Sequence, residues 1–387
     1  MIEQLVVRVN QNSVGLLIKE EGAFLFNYEP LTTSDGFVSL TMPVRAKGYV
    51  HSHLPPIFEM HLPEGYLLSL IKKQFSKLTQ TDDFGLLRLL SSSIRGRVNY
   101  AHSADIASPL VLDDILHSEQ PELFNELVTR FALKSPLSGV QPKVLVQVEN
   151  KATLKLDDYI VKAWGQDYPQ LALNEFFCMS VVKQAGIAVP EFYLSDDESL
   201  FVMKRFDIAE EGDSLGFEDM CVLQAKQRDD KYTGSYEQVA KTIKLFTSAD
   251  FRTASLQQFF KMVVLNNALQ NGDAHLKNFG LIYEDMDSIR LSPAYDVVCT
   301  TAYITSDIAA LTLLGSKKWW GHEFLIRFGI ESCDLTNKQA RALYGECEAA
   351  LDSVYKEILK RLEFELDSDK HQLLTHLASL MGQSKGG

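Results

Sequence analysis

Between residues 144 and 206 the hydrophobic period of the chain switches repeatedly, and that switching constrains the fold more than any other feature. VLVQVE (144–149) alternates like a half-buried strand, Asn150 and Lys151 mark a turn, ATLKL completes a hairpin, and YIVK (159–162) reads as a third strand. Leu173, Phe176, Phe177, Ser180 and Val181 then share one face of a helix that runs out at Gly186, with Pro190 just beyond it. Residues 192–195 and 200–206 return to strand period around the acidic turn DDES. This order predicts a five-stranded lobe carrying one helix. Beyond Asp207 helical period dominates, notably over 255–271 and 337–362.

The front of the chain has a different pattern. Residues 5–9, 13–19, 23–28 and 38–42 are strand-like and separated by polar turns punctuated by Gly22 and Gly36, which predicts a small antiparallel sheet. Helical spacing of Leu67, Leu68, Ile71 and Phe75 follows, then a second apolar helix over 83–91. The mixed, polar stretch 100–121 separates this part from the next. The expected organisation is therefore a small N-terminal α/β subdomain (1–105), a sheet-bearing lobe (106–206) and a mostly helical lobe (207–387), an α+β chain with two lobes behind its subdomain.

Composition excludes several classes of function. An apolar content of 46% with 23% charged residues excludes extended disorder. The net charge of −13 has the wrong sign for a chain that binds DNA over its whole surface. No apolar run reaches the ~20 residues of a membrane span, and the first residues lack the plan of a signal peptide, so a cytoplasmic protein with no membrane contact is expected. Cys178, Cys221, Cys299, Cys333 and Cys347 are scattered and never form C-x-x-C, which predicts reduced, mostly buried thiols. His51, His53 and His61 lack the partners of a zinc site. Trp319 and Trp320, after GSKK, are read as partly core.

The strongest chemical signal is N-G-D-A-H-L-K-N-F, 271–279, placed after an apolar helix and before the strand FGLIY. Asp273 and Asn278 reproduce the D-x-x-x-x-N spacing of a kinase catalytic loop, in which the aspartate receives the acceptor hydroxyl's proton and the asparagine oxygen holds Mg²⁺. Aspartate and asparagine are also ordinary turn residues. Asp296, in LSPAYDVV, returns to the loop through one hairpin and suits a second metal ligand, although the D-F-G sequence is absent. Upstream, Lys162 ends a strand and Glu175 lies on the next helix, the order of the lysine and glutamate that pair to hold nucleotide phosphates. The plainer alternatives are a strand-edge charge and an exposed helix residue. KSPLSGVQPK (134–143) precedes the first lobe strand, where a phosphate loop belongs, yet it is neither a Walker A nor a G-x-G-x-x-G sequence. His275 is read two ways, as a neutraliser of phosphate charge or as a partner of the loop backbone.

Taken together, LSGVQPK, YIVK, LNEFF, MKRFD, EDMC, NGDAHLKNF, LSPAYDVV and LTLLGSKKW resemble the HipA family of bacterial serine/threonine kinases, the toxins of HipA and HipB type toxin–antitoxin pairs. VGLL, FLFNYEP and HLPEG are similar to the subdomain at the front of long HipA proteins. The resemblance implies a protein-kinase-like bilobal fold that uses ATP and Mg²⁺ to phosphorylate a protein, in known relatives typically an aminoacyl-tRNA synthetase. By position it makes Asp273 the catalytic aspartate, Asn278 and Asp296 the Mg²⁺ ligands and Lys162 the phosphate-binding lysine. Gly139, Val140, Gln141, Lys143, Lys204, Phe206, Asp207, His275 and Lys277 complete the ATP-binding set, and Glu175 forms the structural ion pair. Ser138, and after it Ser135, stand where the family autophosphorylates, but Pro136 replaces the serine often found three before the glycine. The implied partners are a HipB-like helix-turn-helix antitoxin and a protein substrate, with DNA reached only through the antitoxin. A small-molecule phosphotransferase of kinase-like fold and a non-catalytic nucleotide- or partner-binding protein are the alternatives.

Overall fold

The structure is a computed structural model that describes residues 3–64, 82–91, 94–100, 112–118, 123, 143–150, 155–165, 167–209 and 212–383. Its strands in chain order are β1 (Glu3–Val9), β2 (Asn12–Glu20), β3 (Ala23–Tyr28), β4 (Tyr49–His51), β5 (Val98–Tyr100), β6 (Lys143–Asn150), β7 (Lys155–Ala163), β8 (Phe192–Leu194), β9 (Leu200–Lys204), β10 (Gly216–Asp219), β11 (Gly280–Tyr283) and β12 (Arg290–Leu291). The helices longer than two turns are α1 (Asp83–Leu90), α2 (Leu171–Gln184), α3 (Tyr236–Phe246), α4 (Ala249–Ala268), α5 (His322–Ser332), α6 (Asn337–Leu362) and α7 (Ser368–Gln383). Contacts divide the chain into two compact units. One comprises Met1–Ala163, Ser195–Asp229 and Ile282–Met286, the other Trp164–Leu194, Asp230–Leu281 and Asp287–Gly387.

In the first unit, β4-β3-β2-β1-β5 form one antiparallel sheet. Its two tight hairpins turn on residues of positive φ, Asn10 and Gln11 at one end and Glu21 and Gly22 at the other. Such turns match the twist of paired strands. Val7, Val14, Leu17 and Phe26 supply the buried face, with the Phe26 ring 5.5 Å from Phe58 and 4.8 Å from Tyr28. Asp82 caps α1 by accepting the Gly85 N–H at 2.8 Å, and α1 buries Phe84, Leu86, Leu87 and Leu90.

Two strand expectations are corrected. Residues 38–42 form a turn, closed by the Met42 N–H on the Ser39 carbonyl at 2.9 Å. The turn is held from within the same unit by the buried carboxylate of Glu218, which accepts from the Leu40 N–H at 2.8 Å and the Ser39 hydroxyl at 2.6 Å. Lys155 and Leu156, the described end of ATLKL, continue into YIVK as the single strand β7, so among the described residues the five expected strands are four. The intervening Asp157 and Asp158, which look like a break in sequence, stay in the strand because cations meet them. Lys204 Nζ lies 3.0 Å from Asp157, Arg205 and Arg95 each lie 3.6 Å from Asp158, and the Asp158 carbonyl accepts the Arg205 N–H. Strands β4 and β5 are too short to show a period. The helix expected around Leu67–Phe75 lies outside the described residues.

In the second unit, α6 begins on a capping box of Thr336 and Gln339 and spans 26 residues, as its period predicts. It packs against α7 and α2, burying Leu351, Val354 and Ile358 with Leu373, Leu374 and Leu377. Helix α4 buries Phe259, Phe260 and the run Met262–Leu265, then stops where Gln270 turns to φ +51°. None of the five buried cysteines is in a disulfide, and burial pushes the thiols of Cys178, Cys299, Cys333 and Cys347 up. Among the described residues no helix is long and apolar enough to cross a membrane, and no group of three or more His, Cys, Asp or Glu could hold a metal. His61 instead hydrogen-bonds Tyr100 at 2.9 Å, and burial, aided by Arg205, takes its ring down to about 4.

Glu218 is the polar centre of the first unit. Besides Ser39 and Leu40 it accepts from the Tyr283 hydroxyl at 2.6 Å, and a Cβ on Gly216 would stand 2.1 Å from the Tyr283 ring. Burial pushes the Glu218 carboxyl up, against the pull of its three donors and of Arg97. We expect Glu218→Ala, which strands three buried donors, to lower the free energy of urea unfolding by about 3 kcal/mol. Glu218→Gln, which keeps an acceptor oxygen, should lose about 1 kcal/mol. Far-UV circular dichroism across a urea titration measures both.

Candidate active site

The loop between α4 and β11 is irregular yet largely buried, so its backbone groups need partners that a helix or sheet would otherwise supply. Asparagine side chains provide them. Asn271, 1% exposed, donates through Nδ2 to Asn266 Oδ1 at 2.7 Å and accepts the Asp273 N–H at 3.1 Å. Asn278, also buried, accepts the His275 N–H at 3.1 Å, while its own N–H bonds the His275 carbonyl at 3.0 Å. Further support comes from the Leu276 N–H on the Lys231 carbonyl at 3.0 Å and from the Tyr295 hydroxyl on the Lys277 carbonyl at 2.7 Å.

Gly272 is fixed by close approach. Its N–H donates to the Thr300 hydroxyl at 2.8 Å, Thr300 donates in turn to the Asp307 carboxylate, and a Cβ at Gly272 would stand 2.0 Å from Asp307 Oδ2. A Cβ fits there only if the Asp307 side chain shifts. The β11–β12 hairpin then returns the chain, with the Ser292 N–H on the Gly280 carbonyl at 2.9 Å, and brings Asp296 to the loop. Asn278 Nδ2 donates to Asp296 Oδ2 at 3.3 Å, and Asp296 is held at φ +57°, a conformation that costs energy for a residue with a side chain.

Within the second unit the structure therefore brings Asp273, His275, Asn278 and Asp296 to one loop cluster. Asp273 has a side chain 47% exposed, and His275 Nε2 lies 3.8 Å from its Oδ1. The His275 backbone serves the loop, and its ring, buried, faces Asp273. Glu175 on α2 is fully buried, which excludes the reading as an exposed helix residue. Its neighbour Asn174 was not singled out from sequence. Asn174 mimics a backbone strand, donating to the Cys299 carbonyl at 2.9 Å and accepting the Cys299 N–H at 2.8 Å, and so ties α2 to the segment that follows Asp296.

In the first unit, Lys162 lies on β7, between β6 and β9, and is 1% exposed, so it is no strand-edge charge. Its ammonium stands 5.6 Å from the Phe201 ring centroid, and Lys143 is its register partner on β6. Lys204 pairs with Asp157, and Asp207 forms a two-pronged pair with Arg205 at 2.8 and 2.6 Å. The Phe206 ring meets Phe217 edge-on at 5.4 Å. Ser135, Ser138, Gly139, Val140 and Gln141 lie outside the described residues. Lys277 sits on the loop's short 3-10 turn.

The donor chemistry of the loop cluster fits a hard dication. Asn278 Oδ1 spends one lone pair on the His275 N–H and keeps a second, and Asp296 adds carboxylate oxygen beside it. Oxygen donors of this kind suit Mg²⁺, which is held by one or two carboxylates and completed by water and phosphate.

Comparison with known proteins places both parts of the chain. Residues 5–101 match the family model described as HipA N-terminal domain, and residues 135–355 match that described as HipA-like C-terminal domain. A Sinorhizobium fredii protein described as "Putative kinase Y4dM" is 30% identical over 312 residues, 74% of this chain and 72% of its own. A Haemophilus influenzae protein described as "Putative kinase" is 29% identical over 202 residues, 47% of this chain and 58% of its own. Among solved structures, HipA of Shewanella oneidensis MR-1, determined as a toxin–antitoxin complex with HipB and operator DNA, superposes with a TM-score of 0.73 at 18% identity. The match covers 98% of this chain and 96% of that one, and it shows the α+β, HipA-type kinase fold expected from the sequence.

The Gly272 contact yields a direct test. Gly272→Ala is expected to cost about 2 kcal/mol by overpacking against Asp307. Combined with Asp307→Ala, which removes the obstructing carboxylate, its added cost should fall below half that value, a coupling that a double-mutant cycle of melting curves would measure.

Proposed function

The chain belongs to the HipA family, and from that premise we propose that it is an ATP-dependent kinase that phosphorylates a serine or threonine hydroxyl of a protein. The observation that carries the proposal is the Asp273–Asn278–Asp296 cluster, an exposed carboxylate on a loop whose backbone is otherwise locked, beside paired oxygen donors. The kinase descriptions of the two relatives support it.

In this reading the acceptor hydroxyl binds at Asp273, which orients it and takes its proton. Asn278 and Asp296 hold Mg²⁺, which when bound neutralises charge on the nucleotide's phosphates. Lys162 is assigned to the nucleotide phosphates by its position in the sequence, and Lys143 is its register partner on β6. Phosphoryl transfer demands mainly positioning and charge stabilisation, because its transition state is loose. A locked loop is suited to that demand. The Lys204–Asp207 segment is assigned to the adenine, and Ser138 or Ser135 to autophosphorylation. A HipB-like helix-turn-helix antitoxin is the proposed partner, supported by the HipB complex of the Shewanella protein. With a net charge of −13, contact with DNA falls to that partner.

Asp273→Asn keeps the size and the loop contacts of the side chain but cannot accept the proton. It is expected to lower phosphoryl transfer from ATP by about three to five powers of ten while leaving the melting temperature and ATP binding unchanged. Radiolabelled γ-phosphate should appear in the protein fraction of a cell extract treated with the wild-type chain. Label confined to small molecules, or undiminished transfer by the variant, would contradict the proposal.

A further inference from the structure

The two carboxylate oxygens of Asp273 are not equivalent. Oδ1 accepts a hydrogen bond from the Tyr232 hydroxyl at 2.5 Å and lies 3.8 Å from His275 Nε2. Oδ2 carries no hydrogen bond or ion pair among the described residues. The phenol that makes the difference is itself held in place. The carbonyl of Lys231 accepts the Leu276 N–H at 3.0 Å, Lys317 Nζ donates to the Tyr232 carbonyl at 3.0 Å, and the Thr233 N–H closes the turn on Asp230 at 2.8 Å. The Tyr232 ring also meets the His275 ring edge-on, at 5.0 Å and 80°.

Exposure sharpens the point. The Asp273 side chain is 47% exposed and Tyr232 40% exposed, so the surroundings alone do not confine this carboxylate by packing. A partly solvated aspartate with no partner would sample several rotamers, each presenting a different oxygen. A hydrogen bond to an ionised acceptor is short, and roughly twice as strong as one between neutral groups. Among the described residues the Tyr232 hydroxyl is the one hydrogen-bond donor to this carboxylate.

We propose that Tyr232 is the positioning residue of Asp273: its phenol anchors Oδ1, so that Oδ2 alone is presented to the acceptor hydroxyl. The inference rests on the reading of Asp273 as the proton acceptor. In the step it serves, the acceptor oxygen forms a bond to the γ-phosphorus and its proton passes to Oδ2. The bond from that phosphorus to the bridging oxygen breaks, and the electron pair leaves with ADP. Tyr232 neither gains nor loses a proton, and its hydroxyl stays on Oδ1 throughout.

The test uses the full-length chain with Mg²⁺ and ATP, reading ADP release with dephosphorylated casein as acceptor. Tyr232→Phe removes the hydroxyl and keeps the ring on His275, whereas Tyr232→Leu removes both. Misplacement of a reacting group by about 1 Å costs on the order of 100-fold, so Tyr232→Phe is expected to lower kcat about 10- to 100-fold. KM for ATP and the melting temperature should stay at their wild-type values, and Tyr232→Leu should lose no more kcat than Tyr232→Phe. A second readout needs no turnover. The 19F resonance of 3-fluorotyrosine placed at position 232 should move on Asp273→Asn, because its acceptor changes from a carboxylate to an amide. Wild-type kcat in Tyr232→Phe alongside an inactive Asp273→Asn would overturn the positioning role and leave the kinase reading standing. A fluorine resonance that does not move would overturn it as well. Full activity in Asp273→Asn would remove the kinase reading and the inference with it.

Discussion

A buried loop that is neither helix nor strand must find a partner for every backbone N–H and carbonyl, and here asparagine amides meet that requirement. An amide side chain carries the same donor and acceptor as a peptide group, so it can stand in for a missing strand or turn. Asn271 and Asn278 do this inside the loop, and Asn174 does it from α2 against Cys299. All three are buried. Leaving any one of their contacts unmade would expose a buried polar group to its full desolvation cost, of about 1–3 kcal/mol. The loop is therefore rigid for a reason that does not depend on any ligand.

Rigidity of the backbone has a chemical consequence. With Asn271 accepting its N–H and the carbonyl taken by His275, Asp273 has little backbone freedom left, and what remains is rotation of its side chain. Tyr232 addresses that remaining freedom. The same economy is visible at Asp296, whose positive φ is maintained where Asn278 meets its carboxylate. Strain and fixed geometry gathered around a few carboxylates fit chemistry that depends on position more than on covalent participation.

Much of this was legible in the sequence, and the rest divides by range. The D-x-x-x-x-N spacing, the hairpin that returns Asp296, and the full length of α6 are local patterns, written in neighbouring residues. Tyr232 reaches Asp273 across 41 residues and Asn174 reaches Cys299 across 125, and no single-sequence period encodes either. The aspartates of β7 misled because two adjacent carboxylates normally break a strand. Their cations, Arg95, Lys204 and Arg205, come from other elements. The turn at 38–42 misled for the same reason, since Glu218 lies 179 residues from Ser39. Membership of the HipA family, by contrast, is written in short motifs spread along the chain, so the sequence alone carries the resemblance.

The central claim, that Asn278 and Asp296 hold a dication through which nucleotide is bound, is tested most directly by calorimetric titration with a non-hydrolysable ATP analogue. Saturable binding in Mg²⁺ that weakens at least about tenfold, or 1.4 kcal/mol, in EDTA and equally in Asp296→Asn is the predicted result. Binding of equal strength in Mg²⁺, in EDTA and in the variant would contradict it.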